Sequence, residues 1–163
     1  MDKIKLKINN QIGKITFHHP KANCLSGETI NNLIKLLEKA DKDPKAKVIL
    51  IQSEGSKAFC SGASLEDLKK ISTINQAISF FMNFSNLINT IRKLSKFLIA
   101  RVHGPSVGGG VGLISACDYV FACKQASVRL SELSLGLGPY VIEPAISRKI
   151  GTTNFAELSL DSK

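Results

Sequence analysis

The 163-residue chain is long enough for one domain with a single core, and its 44% hydrophobic and 21% charged residues are typical of a globular protein. Its apolar runs are shorter than the roughly 18 residues of a membrane span, and its first residues lack the apolar block of a signal peptide, so we expect a cytoplasmic protein without membrane contact. The net charge of +9 favours an anionic ligand, whereas dispersed lysines and few aromatic residues argue against a nucleic acid.

The first part of the chain predicts a hairpin, a helix and a buried strand. Residues 3–7 and 14–18 alternate in polarity around an Asn/Gly segment, which indicates a β-hairpin. Ser26 is placed to cap a helix over residues 28–40. Residues 48–51 form a continuous aliphatic run, which predicts a strand that is buried on both faces.

The middle of the chain alternates between helices and strands. A Gly/Ser loop over residues 53–62 leads into residues 64–67, whose Ser-Leu-Glu-Asp pattern predicts a capping box and a short helix. Apolar residues from 74 to 91 have helical spacing. Residues 97–102 predict a second buried strand.

The last part of the chain continues this alternation. Residues 104–112 form a glycine-rich turn into a helix, and residues 119–122 and 127–130 predict strands. Helices are expected near residues 141–150 and 153–160. The whole pattern predicts an α/β fold with a largely parallel sheet, in a single domain over residues 1–163.

Two loops each follow a buried strand and precede a helix, at residues 57–65 and 102–113. Ligands bind beyond the carboxyl ends of parallel strands, and helix N-termini offer unpaired N–H groups. Two such loops could direct two backbone donors at one developing oxyanion, each worth about 3–4 kcal/mol in the transition state. In the alternative interpretation, the glycines only permit tight turns and close packing.

The glycine-rich loop matches neither common nucleotide-binding pattern. No G-x-G-x-x-G can be placed on residues 104–112, and no Gly-Lys-Ser/Thr follows them. The scattered cysteines (Cys24, Cys60, Cys117, Cys123) and three histidines have no metal-ligand spacing, so we expect free thiols and no metal.

Four motifs together carry a resemblance to a known family. They read H-P-x-x-N-x-L-S at residues 19–26, K-A-F-C-S-G-A-S-L at 57–65, G-x-x-x-G-G-G-x-G-L at 104–113 and S-E-L-x-x-G at 131–136. Their order and spacing, with Asp118 between the last two, are similar to the enoyl-CoA hydratase/isomerase (crotonase) family over nearly the whole chain. The resemblance implies a crotonase-like (ClpP/crotonase) spiral of ββα units.

The resemblance also implies roles for particular residues. Ala63 and Gly109 would supply the oxyanion-hole N–H groups, and Glu132 would be the acid/base carboxylate. Contacts to coenzyme A or the acyl chain would come from Cys24, Ser61, Ser64, Leu65 and Gly108. The substrate would be an acyl-CoA, whose anionic CoA portion suits the positive charge of the chain. No separate cofactor would be needed. The family resemblance also implies a homo-oligomer, a trimer or hexamer.

The chain departs from the family pattern in two places. Gly112 stands where hydratases carry a second glutamate, and residues 139–144 replace a glycine-rich stretch. Gly112 and Tyr140 are candidate substrate-binding residues. Tyr140 or Glu143 could supply the acid/base group that the second glutamate provides in hydratases. Glu143 is also expected at a helix start. With one carboxylate, isomerisation or decarboxylation gains weight over hydration.

The remaining candidates have structural alternatives. Glu132 could instead be a surface residue paired with Arg129 or Lys124, although an apolar setting would raise its pKa towards a useful value. Asp118 is expected to fix a turn. His103 is expected to pack, and nothing near Cys60 in sequence would activate its thiol.

Length adds one further expectation. Family members continue for about another third of their length past Leu160, with a helical region that covers the acyl pocket and builds the trimer. The chain would then be a fragment or a truncated paralogue with exposed apolar surface. The favoured hypothesis is an acyl-CoA enzyme, the alternative is a non-catalytic CoA-binding or scaffold paralogue, and RNA binding is the weakest.

Overall fold

A computed structural model describes residues 3–161 of the chain. In chain order the strands and helices are β1 (Lys3–Asn9), β2 (Ile12–His18), α1 (Gly27–Lys42), β3 (Val48–Ser53), α2 (Leu65–Lys69), α3 (Ile74–Lys93), β4 (Leu98–Val102), β5 (Ser106–Val107), α4 (Gly109–Ala116), β6 (Tyr119–Ala122), β7 (Val128–Arg129), a 3-10 turn (Leu133–Leu135), α5 (Glu143–Ile150) and α6 (Thr152–Leu160). Among these described elements, none of the helices is long and apolar enough to cross a membrane.

The main sheet has the strand order β1-β2-β3-β4-β6. Strands β1 and β2 form the predicted hairpin and pair antiparallel, whereas the other neighbours pair parallel. The hairpin turn is Asn10–Gln11, with φ values of 48° and 64°. Left-handed conformations at both central residues are typical of a two-residue turn that matches the twist of the flanking strands.

The chain repeats a unit of two strands and a helix. Strand β4 lies in the main sheet, β5 lies in a second sheet with β7, and α4 follows; β6, β7 and α5 repeat this order. An isolated bridge between Cys60 and Ser106 places the segment after β3 beside β5 in the same way. The predicted α/β spiral of ββα units is therefore confirmed.

The core lies on the helix side of the main sheet. Ile15, Ile49 and Leu98 on neighbouring strands are fully buried, together with Leu33 and Leu37 of α1. The opposite side is more open, because alternate side chains of β3 are only half-buried and the β6 side chains are mostly exposed. The prediction of strands buried on both faces is therefore wrong for β3, and also for the second predicted buried strand, β4, in which Ile99 is half-buried and Arg101 is exposed. Among the described residues, only one face of these two strands is fully covered.

Helix starts follow the predicted caps, with one correction. Ser26 and Ser64 are the N-caps of α1 and α2, and their hydroxyls accept hydrogen bonds from the amides of Thr29 and Asp67. The second half of the predicted capping box is absent, because Asp67 Oδ2 accepts a hydrogen bond from Gly27 N (3.3 Å). The acidic side chain thus links the starts of two helices.

The predicted exposed apolar surface is present along α3. Ile74 is 79% exposed, and Ile78 and Met82 are also exposed, whereas Leu87 and Ile91 near the other end of the helix are buried. Only the second half of the predicted apolar stripe on α3 therefore packs in the core.

Candidate active site

The two glycine-bearing loops lie side by side. Phe59 N donates to the carbonyl oxygen of Pro105 (2.9 Å), and Val107 N donates to that of Cys60 (2.9 Å). The buried side chain of Asn23 anchors the first loop, since its Nδ2 donates to the carbonyl of Ala58 (2.9 Å). The predicted juxtaposition of loops 57–65 and 102–113 is therefore confirmed.

Gly62 permits the closest approach of the two loops. Its φ is +89°, and an added Cβ would lie 2.7 Å from the Val107 carbonyl oxygen and 3.4 Å from Gly109 N. Any other residue would be strained at this φ and would also push the loops apart. The glycine thus brings the Ala63 and Gly109 segments together.

The backbone of Ala63 is oriented by its parallel bridge to Leu25. Leu25 N donates to the Gly62 carbonyl (2.7 Å), and Ser64 N donates to the Leu25 carbonyl (3.0 Å). In such a pairing the intervening Ala63 N–H faces away from Leu25. Within residues 3–161, neither the Ala63 nor the Gly109 amide donates a hydrogen bond, so both are available to a ligand.

Both residues line one cavity of about 90 Å³. Its wall is mostly apolar, with contributions from α2, α3 and the segment before α5 (Leu65, Leu68, Phe80, Phe81, Phe84, Leu137, Val141, Ile142). Phe80 packs against the rings of Phe81 and Phe84, at centroid distances of 5.2 and 6.0 Å. A cavity with an apolar wall and few polar groups is typical of a small-molecule site.

Glu132 lines the same cavity, and backbone hydrogen bonds of its segment hold it there. Its carbonyl accepts hydrogen bonds from Leu135 N (2.9 Å) and Leu137 N (3.0 Å), and the Arg129 carbonyl accepts one from Gly108 N (2.9 Å). These bonds fix the segment against the glycine-rich loop. An added Cβ on Gly108 would be 2.7 Å from Glu132 Oε1, so the carboxylate lies directly against that loop.

The environment of the Glu132 carboxyl favours its neutral form. Burial raises its pKa above the ordinary value, and the nearby backbone N–H groups of Glu132 and Ser131 oppose the increase only in part. Its Oε2 is buried without a hydrogen-bond partner among the described residues. No described cation forms an ion pair with it, so the alternative pairing with Arg129 or Lys124 is not observed.

The predicted substrate-contact residues divide into two groups. Ser61, Leu65 and Gly108 line the cavity, whereas Cys24, Ser64, Gly112 and Tyr140 do not. Cys24 is buried with its Sγ 3.2 Å from His19 Nδ1, and Ser64 caps α2. Tyr140 is 82% exposed, and Gly112 is covered by Ile142. Substrate contact by these residues stays a prediction.

The aromatic wall that α3 contributes to the cavity is not predicted from the sequence. Phe80, Phe81 and Phe84 belong to a helical apolar stripe that indicates only core packing, and the pattern does not show that α3 lies beside the two loops. The only available signal was the density of phenylalanine within five residues.

The structural alternatives hold for the lesser candidates. Asp118 Oδ2 accepts a hydrogen bond from Leu98 N (2.8 Å), which fixes the start of β4 as predicted. Burial raises the pKa of the Cys60 thiol to about 12. Glu143 begins α5 and accepts a hydrogen bond from Ser147 Oγ (2.9 Å). His103 packs its ring edge-on to Phe59.

Comparison with solved structures shows that the chain has the crotonase fold. The crystal structure of an enoyl-CoA hydratase from Shewanella pealeana superposes with a TM-score of 0.92 at 25% identity, over 98% of this chain and 61% of that chain. The family model described as Enoyl-CoA hydratase/isomerase matches residues 7–162. The chain belongs to the enoyl-CoA hydratase/isomerase family.

Two curated relatives have names that point to different reactions. The chain is 29% identical to the "Probable enoyl-CoA hydratase" of Bacillus subtilis, over 97% of this chain and 61% of the relative. It is 32% identical to the mitochondrial 3-hydroxyisobutyryl-CoA hydrolase of Danio rerio, over 85% of this chain and 38% of the relative. The chain thus spans less than two thirds of either relative's length.

Proposed function

We propose that this chain binds an acyl-CoA thioester and catalyses proton transfer next to its carbonyl. One observation carries the proposal: a single cavity is lined by Ala63, Gly109 and Glu132, so two free amides and one carboxylate meet an apolar space. Supporting it, several relatives carry names of enzymes that act on CoA thioesters.

The chemistry follows from what each group can do. Removal of a proton beside a thioester carbonyl builds negative charge on the carbonyl oxygen, and the Ala63 and Gly109 amides would stabilise that oxyanion. Glu132 would accept the proton and return it to another carbon. Its raised pKa suits this role, because a base works best when its pKa lies near the working pH.

The ligand's two ends match different parts of the molecule. The aromatic and aliphatic wall of the cavity supports an apolar acyl group, and the net charge of +9 supports attraction of the anionic CoA portion.

The proposal also includes a homo-oligomer, such as a trimer or hexamer, and a cytoplasmic location. Light scattering tests the first, and fluorescent tagging tests the second, since the hydrolase relative is named mitochondrial.

A non-catalytic CoA-binding or scaffold protein is the second candidate. It is favoured by Gly112, where the resemblance places the second glutamate of hydratases. Such a protein would keep the cavity without the full set of acid/base groups.

One experiment separates the two candidates. The chain is mixed with crotonyl-CoA and with a 3-enoyl-CoA, and absorbance follows the enoyl thioester while calorimetry measures CoA binding. Turnover of either thioester supports the enzyme and rejects the scaffold. Binding of CoA without turnover of either thioester supports the scaffold and contradicts the enzyme.

A further inference from the structure

The main sheet has a second face, opposite the core, which we call the outer face. Residues that pair across neighbouring strands lie on the same face of a sheet, and the register aligns Lys14 of β2 with Leu50, Ile99 and Tyr119 on the next three strands. Lys14 and Tyr119 are exposed, and Leu50 and Ile99 are only half-buried. Phe97, two residues before Ile99, is 71% exposed. Among residues 3–161, no segment therefore buries this row of side chains.

The outer face has an apolar floor with an aromatic wall on one side. Leu50 and Ile99 form the floor, together with Val48, which is half-buried and lies two residues before Leu50 on β3. The rings of Tyr119 and Phe121 form the wall. They lie at a centroid distance of 4.9 Å and are 58% and 60% exposed. Grouped apolar side chains that stay exposed indicate an interaction surface.

The wall on the other side of the floor is basic. Lys7 and Lys14 pair in the hairpin, on the side away from the aromatic rings, and both are exposed. Arg101 is exposed near the carboxyl end of β4. Glu54 follows β3, and its carboxylate is already paired with Lys5. In the described chain, the charges that border the floor without an ion pair are therefore positive.

Size and charge together select the kind of occupant. A second copy of this face would bring two surfaces of the same sign together, and like charges repel, in a chain whose net charge is already +9. A flat lipid surface would contact the protruding rings and lysines but would leave the floor between them unfilled. A helix with its side chains is about 10 Å wide. The two walls are three interstrand spacings, about 14 Å, apart, so a helix fits between them.

We propose that the outer face binds an amphipathic α-helix of a partner protein, with its apolar stripe on the floor and with glutamate or aspartate residues beside Lys7 and Lys14. Apolar residues three and four positions apart on that helix would pack on Leu50, Ile99 and the aromatic wall. Residues of the outer face do not line the cavity of the candidate active site. The inference is therefore independent of the proposed function.

Calorimetry with a synthetic peptide tests the proposal. The probe has about 15 residues, enough for a marginally stable helix, with leucines at helical spacing, glutamates on both flanks of the leucine stripe, and alanines elsewhere. The control peptide carries lysine in place of every glutamate. At low ionic strength, where charges are least screened, we expect the glutamate peptide to bind at least about tenfold more tightly than the lysine peptide.

Two variants of the chain locate the peptide on the outer face. Tyr119→Ser removes an exposed ring and should weaken binding of the glutamate peptide about tenfold. Lys14→Glu should weaken it about threefold or more and should strengthen binding of the lysine peptide. Both variants change exposed side chains, so the fold should be kept, as circular dichroism verifies.

Each variant has a matched control elsewhere on the surface. Ile78→Ser removes an exposed apolar side chain from α3, and Lys35→Glu makes the same change of charge as Lys14→Glu on an exposed position of α1. Both controls should change the affinity for the glutamate peptide less than about twofold. Losses as large as those of Tyr119→Ser and Lys14→Glu would place the peptide elsewhere and overturn the proposal.

The remaining outcomes decide the chemistry of the occupant. Absence of binding by the glutamate peptide, or equal affinities of the two peptides, would overturn the proposal. Vesicles of phosphatidylcholine with phosphatidylserine, and a single-stranded oligouridine, are measured with the same variants. If either binds the unmodified chain more tightly than the glutamate peptide and is weakened by Tyr119→Ser, the surface belongs to a membrane or a nucleic acid, and the helix proposal is wrong.

Discussion

The carboxylate of Glu132 lies directly against the backbone of Gly108, where a Cβ would approach Oε1 to 2.7 Å. Gly108 precedes the proposed oxyanion donor Gly109, and its φ is +51°. A missing side chain in the glycine-rich loop thus sets the distance between the acid/base group and the amide donors. The proposed chemistry depends on this proximity.

Removal of the Glu132 carboxylate should abolish most of the proton transfer. We expect Glu132→Gln to lower kcat by about 10²–10⁴-fold, with little change in acyl-CoA affinity, because the amide keeps the shape of the side chain but is a poor base. Steady-state absorbance measurements with a 3-enoyl-CoA give kcat. Glu143→Gln is the matched control, since Glu143 bonds to Ser147 at a helix start; full activity of the Glu132 variant would eliminate the proposed role.

The pH dependence of stability should report the buried carboxyl. Because burial raises the pKa of Glu132 above 4.5, its protonated form stabilises the fold at and below that pH, and this contribution is lost as the pH rises through the raised pKa. The free energy of unfolding of Glu132→Gln, relative to the parent, should therefore increase from pH 4.5 to neutral pH. Urea unfolding at several pH values measures it.

The control for this pH series is Glu28→Gln in the first turn of α1. A negative charge there favours the helix N-terminus, so its loss should not stabilise the protein at neutral pH. A flat difference between Glu132→Gln and the parent across the pH range would show that the carboxyl is not desolvated.

Gly62→Ala should destabilise the protein more than another substitution at a positive φ. Strain at this φ costs about 1–2 kcal/mol, and the contact with the Val107 carbonyl should add about 1–3 kcal/mol. Gly136→Ala is the matched control, because its φ is +72° and an added Cβ meets nothing within 4 Å. Chemical denaturation measures both, and equal losses would mean that the loops are not in close contact.

The thiols should differ in reactivity. Burial raises the pKa values of Cys60 and Cys117 to about 12, whereas Cys123 is exposed. Iodoacetamide at pH 8 should therefore label Cys123 well before Cys60 or Cys117, as read by peptide mass spectrometry. Early labelling of Cys60 in the folded protein would show that the first loop opens to solvent.

The sequence predicted most elements because local chemistry decides them. Ser26 and Ser64 cap their helices as expected, and alternation marks the hairpin. The sequence-based predictions failed where a residue distant in the chain decides the burial or the hydrogen bond of a side chain. The aliphatic run of β3 indicated burial on both faces, but helices cover only one, and Asp67 bonds to Gly27 instead of its own helix start.

The resemblance carried by the motifs predicted Ala63, Gly109 and Glu132 as site residues, and all three line one cavity, while their chemical roles stay predictions. The motifs could not show that Tyr140 points outward or that Ile142 covers Gly112. Those facts depend on how α5 packs against α4, which no spacing along the chain encodes.

The amino-acid sequence by itself determined the family, the ββα order and the three residues expected to do the chemistry. Only the tertiary structure decided which side chains form the cavity wall, how closely Glu132 approaches Gly108, and that an isoleucine fills the space beside Gly112. The physical reason is that propensity and capping act over a few neighbouring residues, whereas close packing and desolvation depend on segments that meet only after folding.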